Sequence, residues 1–335
     1  MAYEIDRKTV DYYHHGSDGV AHPVSSGGEH PKELKAERMK YLKTNPNDRF
    51  PHFELKLNVP NPDYEKKLES FLDYIRQKGY IGSNEPDFVT NKNLLACVAA
   101  SKTNLVYACR MNGVIFMINK KDTTATNLDY GTAFEHFMTE EGNDGIERKG
   151  VFEATVSREG GDSFRIYYSG QIDGVEKYKN GTATSSFFVG NYRHYELKTN
   201  SGKVMGEDFW NKSCSMFWQA NFGNCLSLIV GLRTKKRQSK EYAFYLLHGI
   251  TEMNVLEMPK EAAAKLLNSD NKWTVEDGKS KLFSLLTLVK KNVTSDEDCF
   301  VFSKNSNGSS DWSAKRDEDG SVSEFREVIR EKLHL

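Results

Sequence analysis

Apolar positions change spacing several times along the chain, and each change predicts an element. Leu68, Phe71, Leu72 and Ile75 form one stripe at helical spacing, with Asp63 placed to cap that helix and Gly79 to end it. Residues 105–111 and 114–118 are apolar runs joined by Asn112-Gly113, a hairpin signal. A helix over 131–141 carries Phe134, Phe137 and Met138. Strands are expected at 151–157, 163–173, 185–198, 226–233 and 241–249. They are interrupted by a helix over 207–222, with Phe209, Trp210, Met216, Phe217 and Ala220 on its apolar side. Helices at 259–268 and 279–291, a strand at 300–302, a polar loop over 303–323 and a helix from Ser323 complete the pattern. A strand-rich middle with helices inserted and appended predicts an α+β fold, a mixed β-sheet core with flanking helices. Residues 1–35 are poor in apolar positions and read as a flexible N-terminal arm with a solvated His14-His15 pair. Residues 36–335 then form one domain, entered through the proline-broken stretch Asn45 to Pro62.

Composition narrows the function classes. A formal net charge of −1 over 335 residues excludes a generally basic nucleic-acid coat. A polyanion must therefore be held by a local patch or by metal ions. No apolar run approaches the roughly 18 residues of a membrane span, and the charged N-terminus has no apolar signal segment. Cys97, Cys109, Cys214, Cys225 and Cys299 include no C-x-x-C pair. They read as reduced thiols in a nuclear or cytoplasmic protein, not as disulfides or a zinc site.

The candidate chemistry sits in Gln171-Ile172-Asp173 and, on a later strand, Glu196-Leu197-Lys198. Residues two apart in a strand share a face, so Gln171 pairs with Asp173 and Glu196 with Lys198. If the two strands pair, these four groups form one patch. Carboxylates of this kind suit Mg²⁺ or Mn²⁺, which take hard oxygen ligands, and the lysine can orient an attacking water. Glu-x-Lys on an exposed strand is commonly a solvated charge pair. Here both segments adjoin apolar runs, and a carboxylate in a mostly buried sheet needs a partner.

Three further features accompany the pattern: Gly131-Thr-Ala-Phe-Glu135 on a helix, Trp218-Gln219 on the helix after Lys198, and the apolar strand Cys225 to Arg233. In this order the segments resemble the DXO-type decapping exoribonuclease family, which acts on RNA 5′ ends. Its members remove incomplete or non-standard caps, including NAD caps, and often digest the RNA 5′ to 3′. The family's Gly-x-x-Phe-Glu helix corresponds to Gly131–Glu135, its Ser-Gly-Glu-x-Asp strand to Ser169–Asp173, and its Tyr-x-Glu-Leu-Lys-Thr strand to the segment around Glu196-Leu-Lys198. Its glutamine-bearing helix and following strand correspond to Gln219 through Arg233. Weaker similarity runs from about Tyr41 to about Phe302, so most of the chain is covered.

The resemblance implies a core like that of the D/E-x-K nucleases. It implies that Glu135, Asp173 and Glu196, with Gln171 and the Leu197 carbonyl, hold a divalent metal (Mg²⁺ or Mn²⁺). It implies that Lys198 and Gln219 act on the attacking water and the scissile phosphate, and that Lys92 binds substrate. The partner implied is an RNA 5′ end, capped or 5′-phosphorylated, and some family members regulate a 5′–3′ exonuclease.

Two positions depart from the family. Gln171 stands where the family has glutamate, and Lys92 where it has arginine. The amide can ligate a metal without charge; two unit charges about 4 Å apart interact by roughly 4 kcal/mol at an effective dielectric of 20. Lys92 keeps the charge but loses the bidentate fork. The expectation is a decapping-type hydrolase with a weakened second metal site, or a non-catalytic RNA 5′-end binder or exonuclease regulator on the same scaffold. Trp218 is expected to stack on the first base. His136 and His194 are expected to face away from their acidic neighbours. Residues 233–240 hold five basic residues, read either as a solvated hairpin loop or as a phosphate-contacting or import segment.

Overall fold

The computed structural model describes residues 2–16, 20–42, 50–57, 68–80, 85–119, 130–140, 146–177, 192–263, 266, 272–304 and 312–335. In chain order the strands are β1 (Tyr3–His15), β2 (Ala21–Pro23), β3 (Phe53–Lys56), β4 (Phe88–Asn91), β5 (Leu105–Met111), β6 (Val114–Asn119), β7 (Glu147–Arg158) and β8 (Ser163–Gln171). They continue with β9 (Gly174–Lys177), β10 (Tyr192–Asn200), β11 (Ser227–Arg233), β12 (Arg237–Gln238), β13 (Ala243–Asn254), β14 (Cys299–Lys304) and β15 (Trp312–Arg316). The α-helices are α1 (Ala36–Met39), α2 (Glu69–Lys78), α3 (Lys92–Ala99), α4 (Tyr130–Met138), α5 (Glu207–Phe222), α6 (Met258–Ala263), α7 (Val275–Asn292) and α8 (Ser321–Leu333).

Nine strands form one sheet in the order β15-β14-β5-β6-β4-β8-β7-β1-β2, and β12-β13-β11-β10-β9 form a second, with β3 on β13. The β5–β6 hairpin turns at Asn112 and Gly113, both with positive φ, as the dipeptide predicts. β10 and β11 are parallel, which requires a crossover; α5 supplies it and brings Gln219 back over the sheet. Leu94 and Val98 of α3, Phe209 and Phe217 of α5 and Leu282 and Leu286 of α7 pack in one cluster with residues of both sheets. The helices therefore lie between the sheets. α2 and α8 cover the other face of the large sheet, and α4 covers the other face of the small one. α4 fits closely because residue 231 is glycine; a Cβ there would lie 2.7 Å from the Phe134 ring.

The N-terminal expectation is corrected. β1 is a thirteen-residue strand paired antiparallel to β7. Tyr12 and Tyr13 on it are buried, and β2 pairs with it in turn. Alternation is confined to its first residues, Tyr3 to Asp6, and Thr9 to Tyr13 are buried on both faces, so no sustained period marks it. His14 stacks on His22 with ring centroids 4.7 Å apart and is not merely solvated. The polar stretch after residue 302 contains the end of β14, β15 and the start of α8, so it is not a plain loop. α6 is shorter than expected and α7 begins earlier, at Val275. The proposed cap Asp63 and the segment 185–191 lie outside the described residues.

Candidate active site

The site forms where the end of β8, inside the large sheet, meets the part of β10 that β9 leaves unpaired. β9 covers the edge of β10 only as far as Tyr195. From Glu196 onward that edge faces a cavity of about 230 Å³ lined by Lys92, Glu135, Glu147, Lys149, Ser169, Gln171, Asp173, Glu196, Lys198 and Gln219, among others. β8 and β10 do not pair. Instead β8 ends at Gln171 and the chain turns, so Gln171 and Asp173 approach by different routes. The Gln171 side chain donates through Nε2 to Glu135 Oε2 across 3.2 Å. Asp173 Oδ2 accepts from the Leu197 N–H across 2.9 Å. The N–H and C=O of one strand residue point to the same edge, so the Leu197 carbonyl also faces the cavity side.

Two lysines knit the acids together. Lys198 Nζ contacts Glu196 Oε1 and lies 3.5 Å from Asp173 Oδ2. Lys92 Nζ donates to the Gln171 carbonyl at 2.8 Å and to Glu196 Oε2 at 3.1 Å. The Lys92 stem lies against residue 170, where a Cβ would come within 2.4 Å of Lys92 Cβ. Only glycine leaves room for this lysine.

The charges respond accordingly. Removal from water, then the Asp173 carboxylate, push Glu135 up to about 8. Burial and then Glu196 raise Asp173 as well. Burial also opposes ionisation of Glu196, but Lys198 and Lys92 together outweigh it and hold Glu196 down at about 2. The same acids outweigh burial to keep Lys198 protonated. Every candidate metal donor is an oxygen: three carboxylates, one amide and one carbonyl. That set suits a hard divalent cation, and Glu135, neutral up to about 8 without one, would be ionised beside one. Among the described residues no three acidic, histidine or cysteine side chains converge at ligating distance. Lys198 and Lys92 each hold one oxygen of Glu196, and Lys198 also reaches Asp173 Oδ2.

A sequence model described as RAI1-like PD-(D/E)XK nuclease matches residues 25–332. The chain belongs to that family. PD-(D/E)XK nucleases depend on divalent metals, and the Rai1 and Dxo1 branch is known for RNA 5′-end processing. A search of curated proteins finds no match to the sequence. Among solved structures, Scheffersomyces stipitis Rai1 in complex with (3′-NADP)⁺ and calcium ion is similar, with a TM-score of 0.69 at 11% identity over 98% of this chain and 96% of that one. Candida albicans Rai1 in complex with pU5-Mn²⁺ gives 0.65 at 12% identity, covering 98% and 95%. K. lactis Dxo1 in complex with manganese gives 0.62 at 13% identity, covering 93% and 90%. At such identities the likeness is one of fold, and it agrees with the expected mixed-sheet nuclease core.

Within this RAI1-like frame, Glu135, Gln171, Asp173, Glu196, Lys198, Gln219 and Lys92 share one cavity. Trp218 does not serve as a stacking platform. Its side chain is buried, with Phe217 and Phe222 at centroid distances of 5.0 and 5.7 Å; the residue after it, Gln219, is the one that reaches the cavity. Lys92 is not a free phosphate ligand, because Glu196 and a backbone carbonyl hold its ammonium. His194 faces away as expected: Tyr12 Oη lies 2.7 Å from its Nε2, and its Nδ1 lies 2.9 Å from the Gly223 carbonyl. His136 departs from expectation, since it lines with Glu135, Gln171 and Asp173 a second cavity of about 70 Å³. Glu147 and Lys149 were not anticipated. Their only sequence signal is a charged pair two apart just ahead of the strand expected at 151–157, a pattern shared with many solvated edges.

Proposed function

We propose that the chain is a metal-dependent hydrolase of RNA 5′ ends, acting in decapping or 5′-end quality control, with catalysis slowed by Gln171. The observation that carries this reading is the meeting of Glu135, Asp173, Glu196, Lys198 and Gln219 in one cavity at the uncovered edge of β10. A divalent ion bound there supplies Lewis-acid stabilisation of the entering and leaving oxygens of an in-line displacement. The protein's own groups do the rest. Lys198, which reaches both Glu196 and Asp173, would hydrogen-bond the attacking water. The Gln219 amide donates to a scissile phosphate oxygen. Lys92 stays on Glu196 and keeps that carboxylate ionised and fixed.

A second reading has a specific observation behind it. Lys198 already neutralises Glu196 and Asp173, and the Gln171 amide satisfies Glu135. A cavity balanced without a cation suits an RNA 5′-end binder that does not cleave, or one that regulates a 5′–3′ exonuclease. RNAs with 5′-phosphate, 5′-hydroxyl, unmethylated-cap and NAD-cap ends, incubated with the protein in Mg²⁺, Mn²⁺ or EDTA, separate the two. Release of the cap or of 5′ nucleotides that requires Mn²⁺ supports the hydrolase. Intact RNA retained equally well in EDTA supports the binder.

A further inference from the structure

Two of the five cysteines face each other across a strand ladder. β14 runs antiparallel to β5, and Cys299 is directly opposite Cys109. Antiparallel ladders alternate between hydrogen-bonded and non-hydrogen-bonded positions. The Arg110 N–H donates to the Asp298 carbonyl across 3.3 Å, and the Lys304 N–H to the Asn104 carbonyl across 2.9 Å. Arg110 is one residue from Cys109 and Lys304 five from Cys299, both odd steps along the ladder. The cysteines therefore occupy a non-hydrogen-bonded position. The Cys299 carbonyl agrees, since it is turned the other way and accepts from the Asp317 N–H across 2.9 Å. At such a position the Cα atoms are about 4.5 Å apart and the side chains are closest. A disulfide spans Cα separations of about 4.4–6.8 Å, so the register puts the two sulfurs within reach of one bond.

Directly opposed residues share a face, and here it is the face under α8, in one cluster with Phe325 and Ile329. Cys109 is fully buried, whereas Cys299 is partly exposed. Burial pushes both thiols up, and the sulfur of Cys299 raises Cys109 further. The Arg326 guanidinium of α8 opposes this at both, and the Ser323 hydroxyl does so at Cys299. Arg326 Nε is buried without a hydrogen-bond partner among the described residues. The resting pair is thus reduced, with Cys299 the member open to a small oxidant. β6 and β4 stand between β5 and β8, and no residue of β5 or β14 lines the acid-cluster cavity.

We propose that Cys109 and Cys299 are an oxidation site, which peroxide converts to a cross-strand disulfide that locks β14 onto the large sheet and that thiols reverse. The Cys299 thiolate attacks one peroxide oxygen; an S–O bond forms, the O–O bond breaks, and the leaving hydroxide takes up the thiol proton as water. The Cys109 sulfur then attacks the Cys299 sulfenic acid. An S–S bond forms, the S–O bond breaks, and a second water carries off the Cys109 proton. Each sulfur gives up one electron, and the peroxide takes both. The cross-link closes a loop of more than half the chain, the kind that most restricts the unfolded state, while the paired strands already hold the two residues together. The assignment does not depend on the functional reading above.

A peptide map joined to a thermal melt tests this. The full chain and Cys299→Ser are treated with hydrogen peroxide, unfolded, capped with iodoacetamide and digested with trypsin without reductant. Wild type should give a disulfide-linked product joining residues 103–110 to residues 292–304, the tryptic peptides that hold the two cysteines. Dithiothreitol should release it. The linked protein should melt roughly 5 °C or more above its reduced form, and Cys299→Ser should gain nothing from the same treatment. If Cys299→Ser does not fold, dithiothreitol added to the linked wild type makes the comparison, and its Tm should return to the reduced value. Linkage through other cysteines, or oxyacids at Cys299 with no bond to Cys109, overturns the assignment. A linked protein that melts no higher than the reduced one overturns the lock.

Discussion

Replacing Gln171 with glutamate should tighten divalent-cation binding and weaken the cation-free protein at the same time. The amide now donates to Glu135 Oε2 across 3.2 Å. A carboxylate in its place removes the donor and brings a second acid to that spot. Two unit charges 3.2 Å apart repel by roughly 5 kcal/mol at an effective dielectric of 20. The cation-free protein escapes most of this by holding a proton between the two carboxyls, since Glu135 already titrates at about 8. The remaining cost is about 1–3 kcal/mol, the scale of a lost buried hydrogen bond. Thermal melts in EDTA should fall by roughly 3–8 °C. In Mn²⁺ the added charge faces a cation, and after ligand exchange a net gain of about 1.5–3 kcal/mol lowers Kd roughly ten- to hundredfold. Calorimetric titration with Mn²⁺ reads this directly, and hydrolysis of 5′-labelled RNA should rise with the affinity. A folded Gln171→Glu protein whose Mn²⁺ Kd stays within twofold of wild type would show that residue 171 does not face a metal, and the charge argument would be wrong.

Two pH dependences follow from the buried titrating groups. Glu135 titrates at about 8 in the fold against 4.5 when unfolded, so its contribution is fully present below about pH 4.5 and is lost as pH rises to 8. Unfolding free energies from urea titrations in EDTA should therefore drop by a few kcal/mol between pH 5 and pH 8, and Mn²⁺ should flatten the drop. Parallel curves with and without Mn²⁺ contradict this. His194 is held neutral by burial, its pKa lowered from 6.5 to about 4; the unfolded chain takes up the proton first, so stability is lost as pH falls from 6.5 towards 4, by about 3 kcal/mol in all. His194→Gln should lack that acid limb in the same urea series.

The parts of the fold legible in the sequence were those with a local rule. Asn112-Gly113 names its hairpin, the Phe71 to Ile75 stripe names α2, and the apolar run ending at Arg233 names β11. The candidate site was legible through spacing and family resemblance, because Glu135, Asp173, Glu196, Lys198 and Gln219 each belong to a short motif. What stayed hidden depends on pairing. Nothing near Tyr3–His15 announces its partner, 140 or so residues away on β7. Lys149 becomes notable only because β7 lies beside β8. Trp218 looked available because helical position alone does not say which residue of α5 the packing with Phe222 encloses.

The matched family segment begins at residue 25, whereas β1 lies wholly before it. A recombinant version cut at that boundary would strip β7 of its outer neighbour and leave a long raw sheet edge, a surface prone to self-association. It would also take away Tyr12, the hydroxyl beside His194 Nε2, and Tyr13, which backs Ser70 and Ser169. Cloning limits for this protein are thus set by strand pairing, and an N-terminal tag belongs ahead of Tyr3.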